Sequence, residues 1–84
     1  MINITYSTQF KKDFKKARKL PLPELKTIFG VISALEQEIT LDATFKDHEL
    51  SGNWAGFREC HIKPDLLLIY KTSGTELQLA SARP

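Results

Sequence analysis

The spacing of hydrophobic residues changes character several times along the chain, and each change marks an element. Ile2, Ile4 and Tyr6 alternate with Asn3 and Thr5, the two-residue period of a short strand with one buried face. Phe10, Phe14 and Ala17 then recur at four and three residues, which puts them on one side of a helix that Ser7 or Thr8 can cap. Leu20-Pro21-Leu22-Pro23 breaks that helix, and Pro23 suits the first turn of a second one. Leu25, Ile28, Phe29, Ile32 and Leu35 carry the second helix, which is predicted to end near Glu36–Glu38. Gly30 lies inside it, and a close helix contact is the expected reason.

From Ile39 to Asn53 no period is sustained, so a loop anchored by Leu41, Phe45 and Leu50 is expected. Trp54–Ile62 reads as a strand and Lys63-Pro64-Asp65 as a turn. Leu66–Tyr70 is a continuous apolar run, the signature of a central strand covered on both sides. After a turn at Ser73-Gly74, Glu76–Leu79 alternates as a last strand. The predicted order is β-α-α-β-β-β, an α+β domain over residues 1–84 with a helical hairpin packed on a largely antiparallel four-stranded sheet.

Composition narrows the classes. At 84 residues, 42% hydrophobic and 26% charged, the chain is ordinary for one small folded domain. It has no apolar run of the roughly 20 residues that span a bilayer, and no secretory leader is recognised, so no membrane partner is expected. Cys60 is the single cysteine, which fits a reducing, cytoplasmic setting. Charge is uneven: residues 1–20 hold six Lys or Arg, among them Lys11, Lys12 and Lys15, against Asp13 alone. Such a basic segment suits an anionic partner, although a solvated helix face explains it as well.

Candidate chemistry collects between Thr44 and Tyr70. If Trp54–Ile62 is extended, Phe57, Glu59 and His61 share one face while Arg58, Cys60 and Ile62 share the other. Cys60 and Ile62 suit the helix-covered side, so Glu59 and His61 would face outward. Asp65, just past the turn, is expected to approach His61, and His48 to reach the same surface from the preceding loop. Two imidazoles and a carboxylate suffice for acid–base cleavage of RNA, with Lys46 and Arg58 holding the phosphate. Strict alternation points Arg58 the wrong way, which a bulge near Gly56 would correct. Two histidines are an ordinary number, so spacing alone favours a pair without a catalytic role. No metal motif such as H-E-x-x-H occurs, and neither metal nor cofactor is expected. Cys60 reads as an inert buried thiol, and Trp54 and Phe57 as packing residues before base-stacking ones.

The segments Phe45-Lys-Asp-His48-Glu-Leu-Ser-Gly52 and Trp54-x-Gly56-Phe-Arg-Glu-Cys-His61-Ile-Lys-Pro-Asp65-Leu-Leu-Leu-Ile-Tyr70 closely resemble the YafQ branch of the RelE/ParE toxin superfamily. Phe10-Lys-Lys-Asp-Phe-Lys-Lys16 is similar to that family's first helix. The resemblance implies a RelE-like fold and the toxin of a bacterial type II toxin–antitoxin pair, a metal-independent endoribonuclease acting on mRNA at the ribosome. It implies His48, His61, Asp65 and Glu59 as catalytic or substrate-positioning residues. The implied partners are mRNA, ribosomal RNA and a cognate DinJ/RelB-like antitoxin, with operator DNA reached only through that antitoxin. The family's Arg-x-Gly-(Ser/Thr)-His segment has no counterpart in Ser81-Ala-Arg83-Pro84: Ser81 falls where the arginine would be and Arg83 is out of register. On that basis the chain is expected to fold and to cleave RNA poorly or not at all. The alternative is a catalytically dead module that binds an antitoxin and tunes the operon. The gyrase-directed function of the ParE branch fits less well, because that branch lacks the His48/His61/Asp65 set.

Overall fold

The computed structural model describes residues 2–83. Strand β1 (Asn3–Tyr6) leads into α1 (Thr8–Ala17), α2 (Leu22–Glu36), the two-residue β2 (His48–Glu49), β3 (Arg58–Lys63), β4 (Leu66–Ser73) and β5 (Glu76–Arg83). The sheet has five strands in the order β1-β5-β4-β3-β2, one more than the sequence pattern predicts. Only β1 runs parallel to its neighbour, β5; the other three pairings are antiparallel. The predicted loop 39–53 is thus interrupted by β2 and by a short 3-10 turn at Ala43–Phe45. The predicted strand from Trp54 starts only at Arg58, because Gly52–Trp54 forms a second 3-10 turn.

Local chemistry explains the boundaries. Ser7 accepts the Phe10 N–H at 2.9 Å and so caps α1. Pro21 stands at the cap position of α2 and Pro23 at its second residue, so the helix opens one residue earlier than the proline alone suggests. Helices cover one face of the sheet. Phe10, Ala17, Ile28, Val31 and Leu35 pack there with Cys60, Ile62, Leu68, Tyr70, Leu77 and Leu79. Val31 replaces Phe29 in this core: Phe29 is 53% exposed, touching Phe14 with ring centroids 5.8 Å apart. Gly30 faces open space, with no atom within 4 Å of where a Cβ would sit, so no close helix contact requires it.

β4 is central and its Leu68, Ile69 and Tyr70 are at most 2% exposed, as the apolar run predicts. β5 extends four residues past the alternating segment, to Arg83. Its end is fastened to α1 by Asp13, which accepts the Ser81 hydroxyl at 2.8 Å and the Ala82 N–H at 3.0 Å. No helix among the described residues is long and apolar enough to cross a membrane.

Candidate active site on the open face

The site begins with strand register. β2 pairs antiparallel with β3 so that His48 lies opposite Glu59 and Glu49 opposite Arg58. Pairs directly opposite hold their side chains about 5 Å apart at Cβ on the same face. His61 is two residues from Glu59 and shares that face, away from the helices, while Cys60 and Ile62 between and beyond them are buried. His48 Nε2 lies 3.3 Å from Glu59 Oε1, and the two imidazole rings are 5.9 Å apart at their centroids.

The backbone before β2 sets the His48 tautomer. Lys46 closes the 3-10 turn in a left-handed conformation (φ 51°), and its carbonyl accepts a hydrogen bond from His48 Nδ1 at 2.7 Å. A carbonyl only accepts, so Nδ1 carries a hydrogen and Nε2 is the atom presented to Glu59. A carboxylate also only accepts, so the 3.3 Å contact is favourable when a proton sits between the two groups. His48 and Glu59 can therefore hold and pass one proton as a unit, with His61 alongside.

Asp47 anchors this arrangement from the other face. Its Oδ1 accepts the Tyr70 hydroxyl at 2.7 Å and Arg58 Nε at 3.1 Å. Burial first, and then the hydrogen bond to Asp47, drive the Tyr70 hydroxyl well above its ordinary pKa, so it remains a donor. Asp47 and Tyr70 escaped the sequence reading. Only the spacing of Asp47 from its neighbour His48, together with one buried tyrosine hydroxyl needing a partner, hints at the clasp.

Of the predicted site residues, the structure brings His48, Glu59 and His61 together, and Lys46 lines the same depression as His61. Asp65 is not among them. Its side chain is 76% exposed and lies 3.6 Å from Lys63 Nζ, which also contacts Glu24 at 2.7 Å; the lysine, not His61, is its neighbour. Arg58 follows the alternation onto the helix-side face, where Asp47 and Glu49 hold its guanidinium. No bulge at Gly56 redirects it: that glycine has φ 92° in the turn before β3, and the β3–β4 register slips between His61 and Lys63 instead. Lys11, Lys12 and Lys15 are exposed on α1, which packs against β5, on the far side of the sheet from β2.

Cys60 is fully buried, and burial, followed by the charges of Asp47 and Glu59, pushes its thiol up to about 12, which excludes a thiolate nucleophile near neutral pH. Donor atoms of His48, Glu59 and His61 all lie within 4.8 Å of one another. Two imidazoles and a carboxylate at that separation fit a small divalent transition ion after slight closure, the donor chemistry that copper and zinc accept.

The chain and its fold are similar to known proteins. A family described as "Bacterial toxin of type II toxin-antitoxin system, YafQ" matches residues 2–83. The mRNA interferase toxin YafQ of Escherichia coli K12 is 39% identical over 69 residues, covering 82% of this chain and 75% of that protein. Among solved structures, a copper-bound mutant toxin from Helicobacter pylori superposes with a TM-score of 0.89 at 37% identity, covering 99% of this chain and 93% of that one. The E. coli DinJ–YafQ complex gives 0.79 at 34% identity, covering 99% and 92%.

Proposed function

This chain belongs to the YafQ family of toxins of bacterial type II toxin–antitoxin systems, and from that premise we propose that it cleaves messenger RNA by acid–base chemistry at His48, Glu59 and His61. The observation that carries the reading is the convergence of these three groups on the uncovered face of the sheet. The His48–Glu59 unit takes the proton of a 2′-hydroxyl as that oxygen attacks the adjacent phosphorus. His61, within one ring's breadth, gives a proton to the departing 5′-oxygen. The products are a 2′,3′-cyclic phosphate and a 5′-hydroxyl, and protons balance across the two imidazoles. Lys46 at the same depression offsets the charge that grows on the phosphoryl oxygens.

Ribosome-bound message in the cytoplasm is the proposed substrate, and the exposed lysines of α1 are the proposed contact to ribosomal RNA. The partner is an antitoxin of the DinJ kind, by analogy with the E. coli complex, and operator DNA is reached through it. The three donors could also hold a copper or zinc ion, as the copper-bound relative suggests. Such an ion would supply Lewis acidity, but it would occupy the lone pairs that proton transfer needs, so the unmetallated residues are the working set.

The test is cleavage of a translated message by purified ribosomes and purified chain, with Glu59→Gln as comparison. Cleavage by the unmodified chain that falls at least about 100-fold in the variant supports the reading. A folded chain that binds antitoxin but neither cleaves message nor arrests growth on induction would replace it with the antitoxin-sequestering module.

A further inference from the structure

The β4–β5 pairing contains one irregularity. Tyr70 faces Leu79, but the next residue back, Ile69, faces Ser81, so Ala80 is an extra residue in β5. Leu77 and Leu79 are fully buried on the helix side, and strict alternation would send Ser81 and Arg83 the same way. The inserted residue reverses the phase. Ala82 now faces Leu68 and joins the helix-side core, while Arg83 faces Leu67, which itself faces His61. His61, Leu67 and Arg83 thus form one row across three strands, about 10 Å from end to end, on the face that carries Glu59.

Two more contacts define what Arg83 does there. Its guanidinium carbon lies 5.8 Å from the centre of the Trp54 ring, which in turn meets Phe57 edge-on at 5.3 Å. The strand end beneath it is held by the Asp13 bonds to Ser81 and Ala82. Asp13 feels the Arg83 charge, but its oxygens are already engaged. Among the described residues no carboxylate lies within 4.0 Å of the guanidinium. A planar cation is therefore propped against an aromatic ring, exposed, with no anion paired to it among the described residues, on the face of the reacting groups.

We propose that Arg83 binds a phosphate of the RNA strand next to the scissile one, and that Trp54 is a positioning residue that holds the guanidinium over the open face. An arginine fork matches two phosphate oxygens at once, and the indole ring stabilises the cation without competing for its donors. The inference rests on the RNA-cleavage reading and adds a subsite to it.

The experiment measures binding of a non-cleavable 2′-O-methyl oligoribonucleotide by the full chain at several salt concentrations, in parallel with cleavage on ribosomes. Arg83→Gln is expected to weaken binding about 10-fold or more and to flatten the slope of log affinity against log salt by about 0.7, one single-strand phosphate. Arg83→Lys should recover the slope and only part of the affinity. Trp54→Leu should keep the slope and weaken affinity, and Lys26→Gln on α2 should change neither. Because Trp54 is the only tryptophan, its fluorescence should respond to the oligonucleotide in the unmodified chain and respond less in Arg83→Gln. Thermal unfolding verifies that each variant is folded. Arg83→Gln binding with unchanged slope and affinity while the unmodified chain cleaves message overturns the subsite and leaves the cleavage reading standing. Arg83-dependent binding without cleavage does the reverse. Absence of salt-dependent binding by the unmodified chain overturns the subsite, and the cleavage reading is then decided by the ribosome assay alone.

Discussion

β3 shows two different materials on its two faces. On the helix side Cys60 and Ile62 are at most 6% exposed and join a core of leucines and aromatic residues. On the open side, one residue away in each direction, Glu59 and His61 meet His48. A thiol is intrinsically a better nucleophile than a carboxylate, yet burial raises its pKa to about 12 and puts it out of reach of any substrate. Reactivity is decided by which way the pleat turns a side chain. The helix face supplies the free energy that makes β3 a strand, while on the open face Ile69, opposite Glu59, is buried at 1% exposure and leaves Glu59 and His61 free of the core.

The sharpest way to break the contrast is on the open face. His61→Ala should lower message cleavage by about 10²- to 10⁴-fold while the melting temperature stays near that of the unmodified chain. A parallel loss of stability would mean that His61 belongs to the packing after all. The matching change on the other face is Leu68→Ala, at a position fully buried opposite Cys60. It should destabilise by about 2–5 kcal/mol in urea unfolding, with activity per folded molecule retained.

A third test lies where α1 meets β5. Burial by itself would raise the Asp13 pKa, but hydrogen bonds from the Ala82 N–H, Ser81 and Gln9, with the Arg83 charge, hold it below the ordinary 3.8. A depressed folded-state pKa stabilises fully above the unfolded value and is lost as pH falls through the folded one. Asp13→Asn should therefore be less stable than the unmodified chain at pH 7, by about 1–3 kcal/mol. That gap should close in thermal melts below pH 3.8, and a gap independent of pH would assign the effect to packing. Smaller still, Ellman's reagent should leave Cys60 unmodified at pH 8 in the folded chain and react in denaturant; prompt reaction with the native state would contradict its burial. Asp65→Asn, at an exposed site away from the histidines, should leave cleavage within about twofold, and a large loss would restore it to the site.

What the linear pattern conveys follows from how local each feature is. The run Leu66–Tyr70 and the helical spacing of Ile28 and Leu35 are local, and both elements form as predicted. So is the pleat of β3, which places Glu59 with His61 from spacing alone. β2 is two residues long and exists only because Glu59 and Arg58 are across from it, so no window of sequence reveals it. Phe29 and Val31 both fit an apolar helix face, and only the position of the sheet decides which is buried. Asp65 misleads because closeness to His61 along the chain is not closeness in space, and Lys63 is the residue it meets. Ala80-Ser81-Ala82 has no hydrophobic alternation, which hides both the length of β5 and its inserted residue.

His48 stands on the weakest piece of the structure. β2 has two paired residues at the edge of the sheet, and beyond them it is held by the Asp47 clasp, the Glu49–Arg58 pair, the Leu50 N–H bonded to the Phe57 carbonyl at 2.9 Å and the packing of Phe45 just before it. Segments with so few ladder bonds open at a fraction of the global unfolding free energy. The flap from residue 43 to residue 57 should therefore exchange its amide hydrogens well before β4 and β5 do. On warming, the chain should lose its proton-handling pair while the sheet is still intact, giving catalysis a lower thermal ceiling than the fold itself.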